Sequence, residues 1–315
     1  MKKKKTGTQP TAAAAVSQLA PVTPRLLRRF ALPQPDEEGG KEERGRVLII
    51  GGSPGMPGAV ILAATAALRA GAGKLQIAVG RQIAPHVATA VPEARVIALD
   101  ETKTGALATT AATQLSTELA AAHAVLVGPG MIEDAAANSR LMIRLLTRIE
   151  GAILVLDAAA MLFLAQSPHS LRPLQGRAVL TPHAGEMLKL TNLEQAELDA
   201  DPLKVLRRTV EELSAVITLK GRTTLIAGPA HKQIYCNRAG NVGLGISGSG
   251  DVLAGIIAGL AARGAAPLQA TLWGVSLHAR AGDQLAREVG PLGYLPREVP
   301  ALIPRLMAKL EKRKK

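Results

Sequence analysis

Residues 46–79 read "RVLIIGGSPGMPGAVILAATAALRAGAGKLQIAV". After Arg46 comes a run of aliphatic residues that stops at Gly51, the composition of a short strand buried on both faces. Pro57 suits the first turn of a helix and Gly71 its end, so the sequence predicts a helix over 57–73. Residues 74–79 form a second aliphatic run, predicted as a strand. Strand, glycine-rich turn, helix and strand make a βαβ unit, which calls for a parallel pair with a helix crossing it.

The same alternation continues along the chain. Strands are predicted at 95–99, 124–130, 152–158, 178–183 and 216–221, and helices at 106–123, 135–149, 185–190 and 201–215. "TTLIAG" and "KQIYCN" (223–228 and 232–237) read as a β-hairpin, and from Asp251 onward helices are predicted at 251–263, 266–289 and 296–313. No internal repeat recurs at a fixed period. The expected fold is α/β, a three-layer α/β/α domain with a mostly parallel central sheet. It is expected to span 46–308, behind a disordered basic tail (1–22) and a proline- and charge-rich linker (23–45), and ahead of a basic tail (309–315).

Composition bounds the function. The chain has 315 residues, 47% hydrophobic but only 2% aromatic, so its core must be built from Ala, Val, Leu and Ile. A single cysteine, Cys236, excludes an intramolecular disulfide framework and a cysteine-rich zinc site, and fits a cytoplasmic setting. The formal net charge is +13. Much of it sits at the ends, in Lys2 to Lys5 and in "AKLEKRKK" (308–315), so specific nucleic-acid binding is not expected. The start "MKKKKTGTQPTAAAAVSQLA" imitates a secretory signal, but its apolar stretch is only "AAAAV". No run approaches the ~20 apolar residues of a membrane helix.

In parallel sheets, ligands bind where the strands end. The segments that follow the strands here are "GGSPGMPG", "GPG", "DAAA", "TPHAGE" and "LKGRTT", joined by "GSGD" (248–251) before the first C-terminal helix. "GGSPGMPGA" (51–59) can approach an anion at a helix start, or be a plain strand–helix turn; it is neither a Walker A loop nor G-x-G-x-x-G. "GPG" (128–130) reads as a tight turn. In "TPHAGE", Glu186 can cap a helix, while His183 is a loop residue or a ligand contact; the two alone are too few for a metal centre. Lys220, Gly221, Arg222, Thr223 and Thr224 suit a nucleotide phosphate or ribose, or a hairpin turn.

"GSGDVLAGIIAGL" (248–260) is the most specific stretch. Gly248 and Gly250 let backbone amides turn inward at a helix N-terminus and Ser249 adds a hydroxyl, together an anion hole. An acid at position 251 would repel a phosphate there. It makes sense as the base that deprotonates a hydroxyl attacking that phosphate. Helix capping also explains Asp251, but not two glycines with a serine between them.

Together, "GGSPGMPGA", "TPHAGE", "LKG", "NRAGNVGLGISGSGDVLAGIIAGLAARG" and "SLHARAGD" resemble the ADP/ATP-dependent (S)-NAD(P)H-hydrate dehydratase family of the ribokinase-like fold, from about Gly51 to Asp283. The resemblance implies a hydro-lyase that repairs hydrated NADH and NADPH (NADHX and NADPHX). ADP, with ATP possible, would phosphorylate the hydrate's hydroxyl with Mg²⁺ as cofactor, leaving AMP and phosphate. It implies substrate contacts at Ala59, Gly130, His183 and Asp251, and nucleotide contacts at Lys220 to Thr224 and Gly250. It also implies a homo-oligomer, often a tetramer, and a separate epimerase as functional partner. Pro54 stands where relatives commonly have Arg, Ala159 where they have an acid, and Ser247 where they have Gly. The alternatives are a hydroxymethylpyrimidine- or thiazole-type kinase of the same fold, and a catalytically silent nucleotide-binding protein.

Overall fold

The structure is a computed structural model that describes residues 19–311, apart from 35, 37, 39 and 41. Its ten strands are β1 (Leu19–Pro21), β2 (Arg46–Gly51), β3 (Lys74–Gly80), β4 (Arg95–Leu99), β5 (Ala124–Val127), β6 (Ile153–Leu156), β7 (Ala178–Leu180), β8 (Val216–Leu219), β9 (Thr224–Gly228) and β10 (His231–Asn237). They form one sheet in the order β1-β10-β9-β8-β7-β6-β5-β2-β3-β4. Every pairing is parallel except those of β9 with β8 and with β10, the predicted hairpin.

Alternation along β2 divides the interior. Val47 and Ile49 enter one core, Leu48 and Ile50 the other, and all four are fully buried. The helices are α1 (Pro24–Arg29), α2 (Pro57–Arg69), α3 (Ala84–Ala90), α4 (Ala111–Gln114), α5 (Ser116–Ala121), α6 (Ala135–Leu146), α7 (Ala184–Thr191), α8 (Gln195–Ala200), α9 (Pro202–Leu213), α10 (Ser249–Ala262), α11 (Pro267–Glu288) and α12 (Val299–Glu311). One core packs α2, α10, α11 and α12 on the sheet; the other packs α6, α7 and α9. That is the expected three-layer α/β/α domain.

Small residues bring α10 onto α2 without a gap. A Cβ on Gly255 would sit 2.2 Å from the Ala63 carbonyl oxygen, and one on Gly259 would sit 2.4 Å from that of Ala67. Gly255→Ala is therefore expected to lower stability by about 1–3 kcal/mol, although alanine is the better helix former by about 1 kcal/mol. Thermal denaturation checks this; a raised Tm, as at a solvent-facing helical glycine, would contradict the contact.

Several boundaries moved. The helix expected over 106–123 is two short pieces, α4 and α5, because residues 100–110 first make a turn with a Glu101–Leu107 bridge and Gly105 at φ 81°. The strand expected through Gly130 stops at Val127, since Gly128 and Gly130 take φ 131° and 67°. The 158–165 and 168–174 segments are 3-10 helices that the sequence reading passed over; "AAAMLFLA" is apolar throughout and has no period to read.

The chain before Arg46 is the larger correction. Expected as tail and linker, it instead supplies β1, parallel to β10, and α1, whose Leu27 is fully buried. Thr23 caps α1 by accepting from the Leu26 N–H at 3.2 Å, and the Trp273 indole donates to the Phe30 carbonyl at 2.6 Å. These elements are too short for periodicity and are held by such long-range bonds. At the other end, α12 runs to Glu311 with Leu310 buried, past the boundary expected at 308. The lysine run 2–5 and residues 312–315 lie outside the described residues. Among the described residues no helix is long and apolar enough to cross a membrane.

Candidate active site

The sheet order reverses between β5 and β2: from β2 the chain steps outward through β3 and β4, and from β5 it steps the other way through β6, β7 and β8. Loops leaving the carboxyl ends of β2 and β5 therefore diverge and open a crevice. They nonetheless touch at their base. Gly52 N–H donates to the Pro129 carbonyl at 2.7 Å, and a Cβ on Gly130 would lie 2.9 Å from that of Ala59. The two predicted substrate contacts, Ala59 and Gly130, are thus neighbours.

Three successive parallel strands then deliver one polar side chain each. Asp157 follows β6, Thr181 follows β7 and Lys220 follows β8. Asp157 is only 3% exposed. Its Oδ1 accepts from Thr181 Oγ1 at 2.6 Å and from Lys220 Nζ at 3.3 Å. Lys220 Nζ also lies 3.6 Å from Glu186 Oε2. Burial alone would lower the Lys220 pKa, but Asp157 and Glu186, with Asp251, outweigh it and hold the ammonium above its ordinary value.

His183 and Glu186 form the N-terminal capping box of α7. Glu186 Oε2 accepts from the His183 N–H at 2.8 Å, and His183 Nδ1 accepts from the Glu186 N–H at 3.3 Å. The Lys220 N–H donates to the Pro182 carbonyl at 2.8 Å, which ties this corner to β8. The His183 ring stays 59% exposed at the rim.

The start of α10 faces this cluster. Gly248 is its N-cap at φ 91°, and a Cβ there would meet Leu62 Cδ1 at 2.6 Å, so glycine is required twice over. No side chain caps the helix, which removes the capping explanation for Asp251. The Ser249 N–H is given to the Ile246 carbonyl and that of Val252 to Gly248. The Gly250 N–H has no main-chain acceptor among the described residues, the state of a free amide at a helix start, while the Asp251 N–H faces its own carboxylate. A Cβ on Gly250 would lie 3.5 Å from Lys220 Nζ and 4.0 Å from Asp157 Oδ2, so lysine, buried acid and helix start meet at one point.

Asp251 is the third residue of α10. Burial raises its pKa, and the Asp157 charge raises it further. Lys220 and its own backbone N–H pull it down, Glu186 pushes it up again, and it comes to rest at about 7. This is a carboxyl poised to exchange a proton near neutral pH.

Two expectations change. The Ser249 hydroxyl is not in the anion hole: it is buried and lies 3.1 Å from His278 Nε2, while its N–H is used in the turn before the helix. Within Lys220 to Thr224, only the lysine reaches the cluster. Gly221, Arg222 and Thr223 are exposed in the β8–β9 turn, and Thr224 Oγ1 lies 3.5 Å from the Gly221 carbonyl oxygen. Asp157, Thr181 and His278 lie in the segments "DAAA", "TPHAGE" and "SLHARAGD" but were not expected as site residues. Asp157 had a signal, as the first polar residue after an unbroken aliphatic strand.

Comparison with known proteins agrees with this geometry. A family model described as NAD(P)H-hydrate dehydratase matches residues 47–305. The chain is 44% identical over 292 residues to the ADP-dependent (S)-NAD(P)H-hydrate dehydratase of Xanthomonas campestris pv. campestris, covering 92% of this chain and 96% of that one. A ribokinase-like superfamily protein of Enterococcus faecalis superposes with a TM-score of 0.80 at 27% identity, over 93% of this chain and 96% of that one. An ADP/ATP-dependent NAD(P)H-hydrate dehydratase of Bacillus subtilis, co-crystallised with ATP/Mg²⁺, gives 0.73 at 26% identity, over 93% and 99%.

Proposed function

The chain belongs to the NAD(P)H-hydrate dehydratase family, and from that premise we propose how its own residues carry the reaction. It is a lyase that repairs the S form of hydrated NADH and NADPH at the expense of ADP. The observation that carries the residue roles is Asp251: a carboxyl with a pKa near 7, at a helix start with no side-chain cap, beside the free Gly250 amide.

The substrate hydroxyl gives its proton to Asp251 as its oxygen bonds to the terminal phosphorus of ADP, and the bond to AMP breaks. The Gly250 and Asp251 N–H groups receive the charge that develops on the transferred phosphoryl oxygens. Lys220, positioned by Asp157 and Glu186, neutralises the nucleotide's phosphates from the other side. The new ester is a good leaving group. The ring nitrogen's lone pair pushes it out as phosphate, and loss of a proton from the neighbouring carbon restores the dihydronicotinamide. Ala59 and Gly130, with no side chain beyond a methyl group, let that ring approach the crevice floor, and His183 meets the substrate at the rim.

Among the described residues no group of three or more His, Cys, Asp or Glu is arranged to hold a metal ion, and Lys220 already compensates Asp157 and Glu186. This donor set fits a Mg²⁺ that would arrive on the nucleotide, with Asp157 as the residue that would hold it. Such an ion would neutralise phosphate charge. We further infer a cytoplasmic homo-oligomer, tetrameric by resemblance, that works beside a separate epimerase.

The test mixes the protein, Mg²⁺, ADP or ATP, and NADHX, and follows recovery of NADH absorbance. Recovery with ADP is expected; a stable phosphorylated hydrate without recovery would instead make the protein a kinase. Because the base must be ionised, kcat/KM is expected to rise with pH through an inflection near 7 and then level. A profile flat from pH 5 to 8 would remove Asp251 from that role.

A further inference from the structure

Ser249 and His278 are buried polar groups that the reaction above leaves unused. Ser249 is the first residue of α10, one position past its glycine N-cap. Its hydroxyl turns inward, to His278 Nε2 at 3.1 Å. The two residues are 5% and 8% exposed. His278 stands mid-way along α11, which packs against α10. Burial takes the imidazole pKa down; a hydrogen bond to the Ser249 main chain raises it and the Lys220 charge lowers it, to about 4. The ring is therefore neutral, with one N–H and one lone pair, and makes an uncharged link to Ser249.

The link falls where the chemistry is most sensitive to position. Gly250 and Asp251 follow Ser249 directly, so any rotation of the first turn moves both amides and the Asp251 carboxyl together. That turn has a glycine N-cap and no side-chain cap to stop it fraying. The restraint comes from the neighbouring helix instead. We propose that His278 is a positioning residue for phosphoryl transfer, holding the first turn of α10 through the Ser249 hydroxyl so that the Gly250 and Asp251 amides and the Asp251 carboxyl keep register with the phosphate. This rests on the reading that the transferred phosphate sits at that helix start.

The test compares the full-length enzyme with Ser249→Ala, His278→Leu, the double variant and His278→Gln, at pH 8 and well below each Tm, with NADHX and ADP. Misplacing reacting groups by about 1 Å can cost about 100-fold in rate. Ser249→Ala and His278→Leu are each expected to lower kcat by about 10- to 100-fold, with the KM for NADHX within about threefold of wild type. Two groups acting as one unit are non-additive, so the double variant should be no slower than the slower single one. His278→Gln, which can still reach the serine, should recover most of kcat. A kcat within twofold of wild type in Ser249→Ala, a multiplicative loss in the double variant, or a Gln variant as slow as the Leu variant would overturn the proposal. Should His278→Leu fail to fold, Ser249→Ala decides alone, because it deletes a single oxygen. Absence of NADH recovery in the wild-type enzyme would instead overturn the assigned reaction.

Discussion

Asp251→Asn is expected to abolish turnover while making the protein more stable. A general base contributes about 10²–10⁴-fold, and here the same proton transfer generates the only nucleophile, so a loss near the upper end is expected. Nucleotide binding should survive, because the amides and Lys220 remain. The stability gain follows from the raised pKa. Between about pH 4 and 7 the folded protein keeps a proton on Asp251 that the unfolded chain has released, so wild-type stability falls as pH rises through that window. Above pH 7 the folded state holds a half-buried charge beside Asp157. A shift of about three units corresponds to up to about 4 kcal/mol, and the asparagine variant is free of it. Its Tm should match wild type near pH 4, pull ahead up to pH 7, and stay several degrees higher at pH 8. Calorimetry across pH with single-turnover assays checks both halves. Near-normal turnover, or a lower Tm at pH 8, would sink the assignment of Asp251 as a half-buried base.

The sheet was legible because its strands are continuous aliphatic runs, and both faces of such a strand must be covered. The glycine-rich helix start was legible for a related reason. Gly248 is required there by its φ of 91°, and such a requirement leaves a residue that no amphipathic pattern explains. What stayed hidden depends on pairing across long sequence distances. Asp157, 63 residues before Lys220, becomes a site residue only when β6, β7 and β8 lie side by side and bring Thr181 and Lys220 to it. His278 looks like any polar residue in a helix until α11 packs on α10. Leu19–Pro21 is too short to read as a strand, and its pairing partner, β10, lies more than two hundred residues away. Ser249 was misread for the complementary reason: its place beside the glycines suggested the hole, whereas its rotamer, set by His278, points the other way.

Lys220→Gln is expected to fail in three measurable ways, all from one cause. The lysine is the cation that three carboxyls share: Asp157 at 3.3 Å and Glu186 at 3.6 Å directly, and Asp251 through its field. First, Lys220 is half-buried and Asp157 buried, so removing the lysine leaves Asp157 uncompensated, at a cost below the about 3–5 kcal/mol of a fully buried pair. The variant should lose Tm at neutral pH. Second, Lys220 is one of the groups that lower the Asp251 pKa. Without it that carboxyl moves above 7, so the rise of kcat/KM should shift to higher pH and still be climbing where the wild-type enzyme has levelled. Third, a charge-assisted hydrogen bond to phosphate is worth about 1.5–3 kcal/mol, so the KM for ADP should increase by about 10- to 100-fold. Lys220→Arg separates charge from fit: it should restore much of the stability and the pH profile, but not the full rate, since a planar guanidinium does not match the single point between Asp157 and Gly250. To guard against a glutamine variant too unstable to assay, Asp157→Asn combined with Lys220→Gln removes the uncompensated charge, and it should recover Tm without recovering the KM for ADP. An unchanged KM for ADP in that double variant, together with a pH profile still centred near 7, would show that Lys220 serves the fold and leaves both the nucleotide and Asp251 untouched.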